Sequence, residues 1–170
     1  MRSSRPDADL AQFLVEHGAD ATAQDGHRST PLHLVLRSDR PDTDLARFLV
    51  ERGADATAQD SYGSTPLHLV LRTDKPDADL ARFLVEHGAD LTAHDEDGST
   101  VLHRVLRSNR PDARLARFLV EHGADATAQD EDGWTPLHLL LRSDRPDADL
   151  IQFLMEHSAD VTGQDKVRST

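Results

Sequence analysis

Thr30-Pro31-Leu32-His33 returns as Thr65-Pro66-Leu67-His68, Thr100-Val101-Leu102-His103 and Thr135-Pro136-Leu137-His138, each copy 35 residues after the last. A fixed period of that length restricts the chain to a repeat architecture, in which one supersecondary unit stacks on the next. Within each copy Thr is a preferred N-cap, Pro suits the first helical position, and the apolar residues that follow supply a buried face. Each copy therefore opens a short helix. The frame does not slip: residues 36–70 and 71–105 agree at 25 of 35 positions, leaving no linker and no second domain. The expected organisation is one array over 1–170, with a partial unit 1–25, repeats at about 26–60, 61–95, 96–130 and 131–165, and a partial end 166–170. Met1 aligns with Leu36, so the chain enters the frame after a first helix, and four first helices and five second helices are expected.

The second helix is expected to begin at Ser4-Arg5-Pro6-Asp7 and its counterparts, such as Asp39-Arg40-Pro41-Asp42, with the first residue as N-cap and the Asp three positions on completing a capping box. In Leu45-Ala46-Arg47-Phe48-Leu49-Val50-Glu51 the spacing places Leu45, Phe48 and Leu49 on one face and Arg47 and Glu51 outside. Gly18, Gly53, Gly88 and Gly123 supply the left-handed residue that stops the helix, and Ser158 breaks the rule in the last unit. A polar stretch rich in turn formers then leads to the next Thr-Pro, as in Asp60-Ser61-Tyr62-Gly63-Ser64, and fits a projecting hairpin-like turn. A lone helix pair buries one face, so stacking must bury the other.

Composition narrows the function. The formal net charge of −12 disfavours nucleic acid and anionic membrane surfaces as partners. There is no Cys, which removes disulfides, thiolate nucleophiles and zinc-thiolate sites and is compatible with a reducing compartment. No run of 18 apolar residues and no signal-like segment occurs, so an intracellular, cytoplasmic chain is expected. No phosphate loop, nucleophile elbow or zinc helix is present, and the abundant Ser, His and Asp recur at framework positions, so neither an enzyme nor a cofactor is expected. His94-Asp95-Glu96-Asp97 is the densest ligand-like cluster, yet it lacks the spacing of a calcium loop or a zinc site and reads as an acidic turn.

Asp130-Glu131-Asp132-Gly133-Trp134-Thr135-Pro136-Leu137-His138, followed after the next helix by the Gly-Ala-Asp type of triplet seen at Gly123-Ala124-Asp125, resembles the ankyrin repeat, and the resemblance covers the whole chain. It implies an all-α solenoid of helix, turn, helix and finger loop, acting as a non-catalytic protein-interaction scaffold. The signature His33, His68, His103 and His138 would tie turns together by hydrogen bonds. Departures are informative: the unit is two residues longer than usual, at the connection between the helices. Val35-Leu36 and its counterparts stand where paired Ala are usual, which implies wider helix spacing. Thr57 and its counterparts replace the finger Asn, so asparaginyl hydroxylation is not expected. Arg28 and Arg168 replace the finger Gly, which predicts distortion of the two outermost turns.

Variation between units locates the candidate contact edge. Second helices hardly change, whereas fingers do: Ser61 becomes Glu96 and Glu131, Tyr62 becomes Asp97 and Asp132, and Ser64 becomes Trp134. In the first helix Arg104 stands where Leu34, Leu69 and Leu139 stand. The candidate partner-binding set is Tyr62, Glu96, Asp97, Arg104, Glu131, Asp132 and Trp134, and its acidity points to a protein partner with a basic surface. The rival reading is a structural spacer or an engineered, consensus-like array with no dedicated partner, which near-identity of the units also fits. End-to-end self-association is a further expectation, through Leu10, Phe13 and Leu14 at one end and Ile151, Phe153 and Leu154 at the other.

Overall fold

The computed structural model describes residues 8–38, 40–73, 75–108, 111–143 and 146–157, and all regular structure among them is helical. First helices are α2 (Pro31–Arg37), α4 (Pro66–Val70), α6 (Val101–Leu106) and α8 (Pro136–Arg142), and second helices are α1 (Ala8–Glu16), α3 (Thr43–Glu51), α5 (Ala78–Glu86), α7 (Ala113–Glu121) and α9 (Ala148–His157). First helices pack on first helices and second on second, so the units form two parallel rows. One apolar cluster runs through both rows from Ala21 to Leu154.

Each first helix starts where the sequence places it. Thr30, Thr65, Thr100 and Thr135 are N-caps in extended conformation. The residue that completes each capping box is the signature His, where Glu or Gln is usual: Thr30 N–H donates to His33 Nδ1 at 3.2 Å, and the same bond recurs from Thr65, Thr100 and Thr135. Leu32, Leu67 and Leu102 are fully buried behind these caps. Burying each such side chain contributes about 1.5–3 kcal/mol, which is the gain that stacking makes available.

Second helices start three residues later than the sequence pattern suggests. The N-cap is Asp42, whose carboxylate accepts from Leu45 N–H at 3.0 Å, with Asp77 and Asp112 acting alike. Pro41, Pro76 and Pro111 thus precede the cap rather than entering the helix. Two good caps stand three residues apart in each unit, and the earlier ones, Ser4, Asp39, Asp74, Asn109 and Asp144, lie outside the described residues. Asp44 and Asp79 remain in the first turn, where the helix dipole favours them. At the other end Gly53 has φ 91°, its N–H reaches Val50 O at 3.0 Å, and Ala54 N–H reaches Leu49 O at 2.9 Å, the paired bonds of a Schellman stop. Ser158 and Arg168 fall outside the described residues.

The second-helix row is stapled by stacked cations. Arg47 lies over the Phe83 ring at 4.6 Å, Arg82 over Phe118 at 5.2 Å and Arg117 over Phe153 at 4.7 Å, each linking one unit to the next. Arg47 is therefore half-buried rather than a free outer residue. His87 and His122 cap their own helix ends, donating through Nδ1 to Phe83 O and Phe118 O at 2.8 Å while stacking on those rings at 4.0 Å.

The two ends are unlike each other. Leu10, Phe13 and Leu14 are half exposed on α1, as the sequence suggests. At the far end Phe153 and Leu154 are buried and Ile151 is partly covered, because α9 rests on α7 and α8; the exposed apolar residues there are Leu141 and Met155.

Candidate interaction surface

Each of the four described fingers is built on one aspartate. Asp60 Oδ1 accepts from Tyr62 N–H at 2.8 Å and Ser64 N–H at 3.1 Å, and Asp25, Asp95 and Asp130 do the same two and four residues on. The finger glycines take positive φ, 68° at Gly63 and 66° at Gly98, and their neighbours stand close: a Cβ would lie 2.8 Å from His94 O and from Glu131 N respectively. Arg28 adopts the same conformation, with φ 58° and the same Arg28 N–H to Asp25 O turn bond at 2.9 Å. The expected distortion of that turn is absent. The exposed arginine accepts left-handed backbone instead.

Fingers are joined to one another along the array. Ser61 N–H donates to His27 O at 2.9 Å, Glu96 N–H to Tyr62 O at 2.8 Å, and Glu131 N–H to Asp97 O at 3.1 Å. The signature histidines add a second link from below: His33 Nε2 donates to Ser64 O, His68 Nε2 to Ser99 O and His103 Nε2 to Trp134 O, at 3.1, 3.1 and 2.9 Å. A carbonyl can only accept, so Nε2 carries the proton, and Nδ1 must then be the acceptor for the Thr N–H. Burial lowers the pKa of His33, His68 and His103, against the opposing pull of those carbonyls, and the neutral ring is the form the site needs.

The free carboxylate oxygens of the finger aspartates set the charge pattern. Arg37, at the end of the first helix α2, pairs with Asp60 of the next finger, and Arg107 pairs with Asp130 of the finger that follows it at 2.9 Å. At Asp95 the corresponding Arg72 is not the partner. Arg104, on the first helix α6 that this finger leads into, occupies Asp95 instead, with Nε at 2.7 Å and a second contact to Asp97 at 3.3 Å. Asp95 is thus consumed in structure, and no cluster of three or more His, Asp or Glu able to hold a metal occurs among the described residues.

Of the candidate edge, Asp97, Glu131, Asp132 and Trp134 come together around an open cleft of about 550 Å³ between the third and fourth fingers, whose lining also includes Leu106, Leu139, Arg107 and Arg142. Arg104 adjoins it through Asp97, whereas Tyr62 and Glu96 stand on the edge outside its lining. Trp134 is half-buried, with His138 edge-on at 5.9 Å and the Arg142 guanidinium over its ring at 5.2 Å. Sequence reasoning missed Arg142 and the exposed Leu34; the latter occupies the Arg104 position of its unit, which was the available signal.

Helix pairs stacked in two parallel rows with linked fingers define a repeat solenoid. Residues 2–95 and 73–165 match the family model for ankyrin repeats (three copies), and the chain belongs to the ankyrin repeat family. Such repeats are in general protein–protein interaction modules and typically non-catalytic. No curated protein matches the chain. Among the described residues no helix is long and apolar enough to cross a membrane.

Proposed function

We propose that this array is an intracellular binding module that holds a protein partner along its finger edge and first-helix face, through Tyr62, Glu96, Asp97, Arg104, Glu131, Asp132 and Trp134. The observation that carries the reading is Trp134: its backbone serves the framework through Asp130 and His103, as Ser64 and Ser99 do in their units, but its indole stands in a cleft that the framework does not require. A large aromatic placed where sister units have Ser supports a contact residue rather than a folding residue. Glu131 and Asp132 beside it are exposed and make no ion pair among the described residues, which favours a partner presenting Lys or Arg, and the net charge of −12 disfavours nucleic acid. The exposed apolar face of α1 supports a second, weaker mode, association between copies.

The rival reading, a spacer without a dedicated partner, is separated by capture of binding proteins on the wild-type array and on a control with Glu131→Ser, Asp132→Tyr and Trp134→Ser, which restores residues found in the second finger and keeps the framework. A protein retained by the wild type and lost from the control supports the module. Identical profiles refute it.

A further inference from the structure

We propose that the stripe of Leu10, Phe13 and Leu14 on α1 is a twofold contact between copies of this chain, with α1 of a second copy lying antiparallel across it. The inference deepens the weaker mode of association between copies and rests on it. The inner units show what covers such a stripe. Leu45, Leu80, Leu115 and Leu150 stand where Leu10 does, Leu49, Leu84, Leu119 and Leu154 where Leu14 does, and none is more than 2% exposed, because a first helix packs on each of α3, α5, α7 and α9. Among the described residues α1 packs on α3 alone, and Leu10, Phe13 and Leu14 are 54%, 52% and 49% exposed.

A second copy carries the kind of helix face that this site takes. First helix α2 covers α3 with Leu32, Val35 and Leu36, buried at spacings i, i+3 and i+4, and Leu10, Phe13 and Leu14 repeat that spacing. The α1 stripe is therefore both a surface to be covered and a helix face able to cover one, which is the self-complementarity that a twofold contact requires. The far end offers no equivalent: Leu150, Phe153 and Leu154 are buried, so head-to-tail growth has no matching stripe. Antiparallel placement brings Asp9 in the first turn of one α1 toward His17 at the end of the other. Three side chains on a nine-residue helix make a contact smaller than the about 1,200 Å² of standard interfaces, so the dimer is a weak one.

Sedimentation equilibrium of the wild type from micromolar to millimolar concentration should show a monomer–dimer equilibrium that stops at two copies. Phe13→Gln with Leu14→Gln, at exposed positions where Gln keeps helix propensity, should weaken the dimer by at least about tenfold. Leu141→Gln with Met155→Gln, the exposed apolar residues of the far end, should leave it unchanged. The chain has no Cys, so introduced single cysteines report the pairing without reference to the stability of α1 variants. On oxidation, a mixture of Asp9→Cys and His17→Cys should give the mixed disulfide in excess over either symmetric one, as antiparallel helices require.

Growth beyond two copies, or symmetric disulfides in excess, would overturn the proposal. So would a wild type that stays monomeric while a peptide of residues 27–38, a first helix with its cap, protects α1 from hydrogen exchange, which would assign the stripe to a partner's helix. Association that survives Phe13→Gln with Leu14→Gln and is lost with Leu141→Gln and Met155→Gln refutes the α1 contact and keeps the weaker mode; a wild type monomeric throughout refutes both. The finger edge is tested separately, because Trp134→Ser should leave the dimer unchanged, and a dimer abolished by it would place the contact at the cleft and refute the α1 stripe.

Discussion

Arg104 takes the carboxylate oxygen of Asp95 that, by the pattern of Arg37 with Asp60, belongs to Arg72. The exchange replaces a link to the finger from the first helix before it with a link from the first helix after it, and leaves Arg72 exposed without an ion pair among the described residues. Its origin is one substitution, Arg104 in a row of leucines.

Returning that residue to the sister sequence should restore the link. In Arg104→Leu, Asp95 passes to Arg72, so Arg72→Ala costs about 1 kcal/mol in that background and less than about 0.5 kcal/mol in the wild type, on the scale of partly buried ion pairs. A double-mutant cycle by urea unfolding measures the coupling. Equal costs in both backgrounds would show that the two arginines do not compete.

The finger turns make opposite predictions at equivalent positions. Arg28 holds φ 58° with its side chain exposed, so Arg28→Gly should stabilise by about 0.5–1 kcal/mol, the relief of left-handed strain less the entropy of glycine. Gly63→Ala meets the His94 carbonyl at 2.8 Å and should destabilise by about 2 kcal/mol or more. Denaturant midpoints of the two variants decide it; a gain at Gly63 would mean that the fingers are spaced more loosely than described.

Acid should loosen the array before any carboxylate titrates. The folded pKa values of His33, His68 and His103 are lowered from 6.5 by burial, so below that pH the unfolded chain binds more protons than the folded one. Their stabilisation is complete above about pH 6.5 and is lost as pH falls through the lowered folded values. Protonation also removes the Nδ1 acceptor on which the Thr cap relies. The urea midpoint should fall between pH 7.5 and pH 5.5, a window above the usual carboxylate range; an unchanged or higher midpoint at pH 5.5 would contradict the assigned tautomer.

What was legible in the chain followed from residues with one local use. Thr30 and Pro31 could only begin a helix, and Gly53 could only end one, so first helices and helix stops lie where the pattern puts them. The second-helix start was ambiguous because two capping residues stand three apart, and the choice of Asp42 depends on packing. Variation between units marks the candidate edge in the sequence, but the cleft is not legible there: it needs Asp97 and Trp134 from different fingers and Leu106 and Leu139 from different helices. Arg104 read as a free contact, and its commitment to Asp95 depends on the finger folding back toward its own first helix.

On the proposed reading Trp134 is held for contact and not for folding, and a paired measurement on Trp134→Ser tests it. Its backbone bonds to Asp130 and from His103 survive the change, so the free energy of unfolding should shift by less than about 1 kcal/mol. Affinity for a protein captured by the wild type should fall at least about tenfold, as loss of an aromatic anchor commonly produces. A large loss of stability with unchanged affinity per folded molecule would contradict the account and make Trp134 a structural residue.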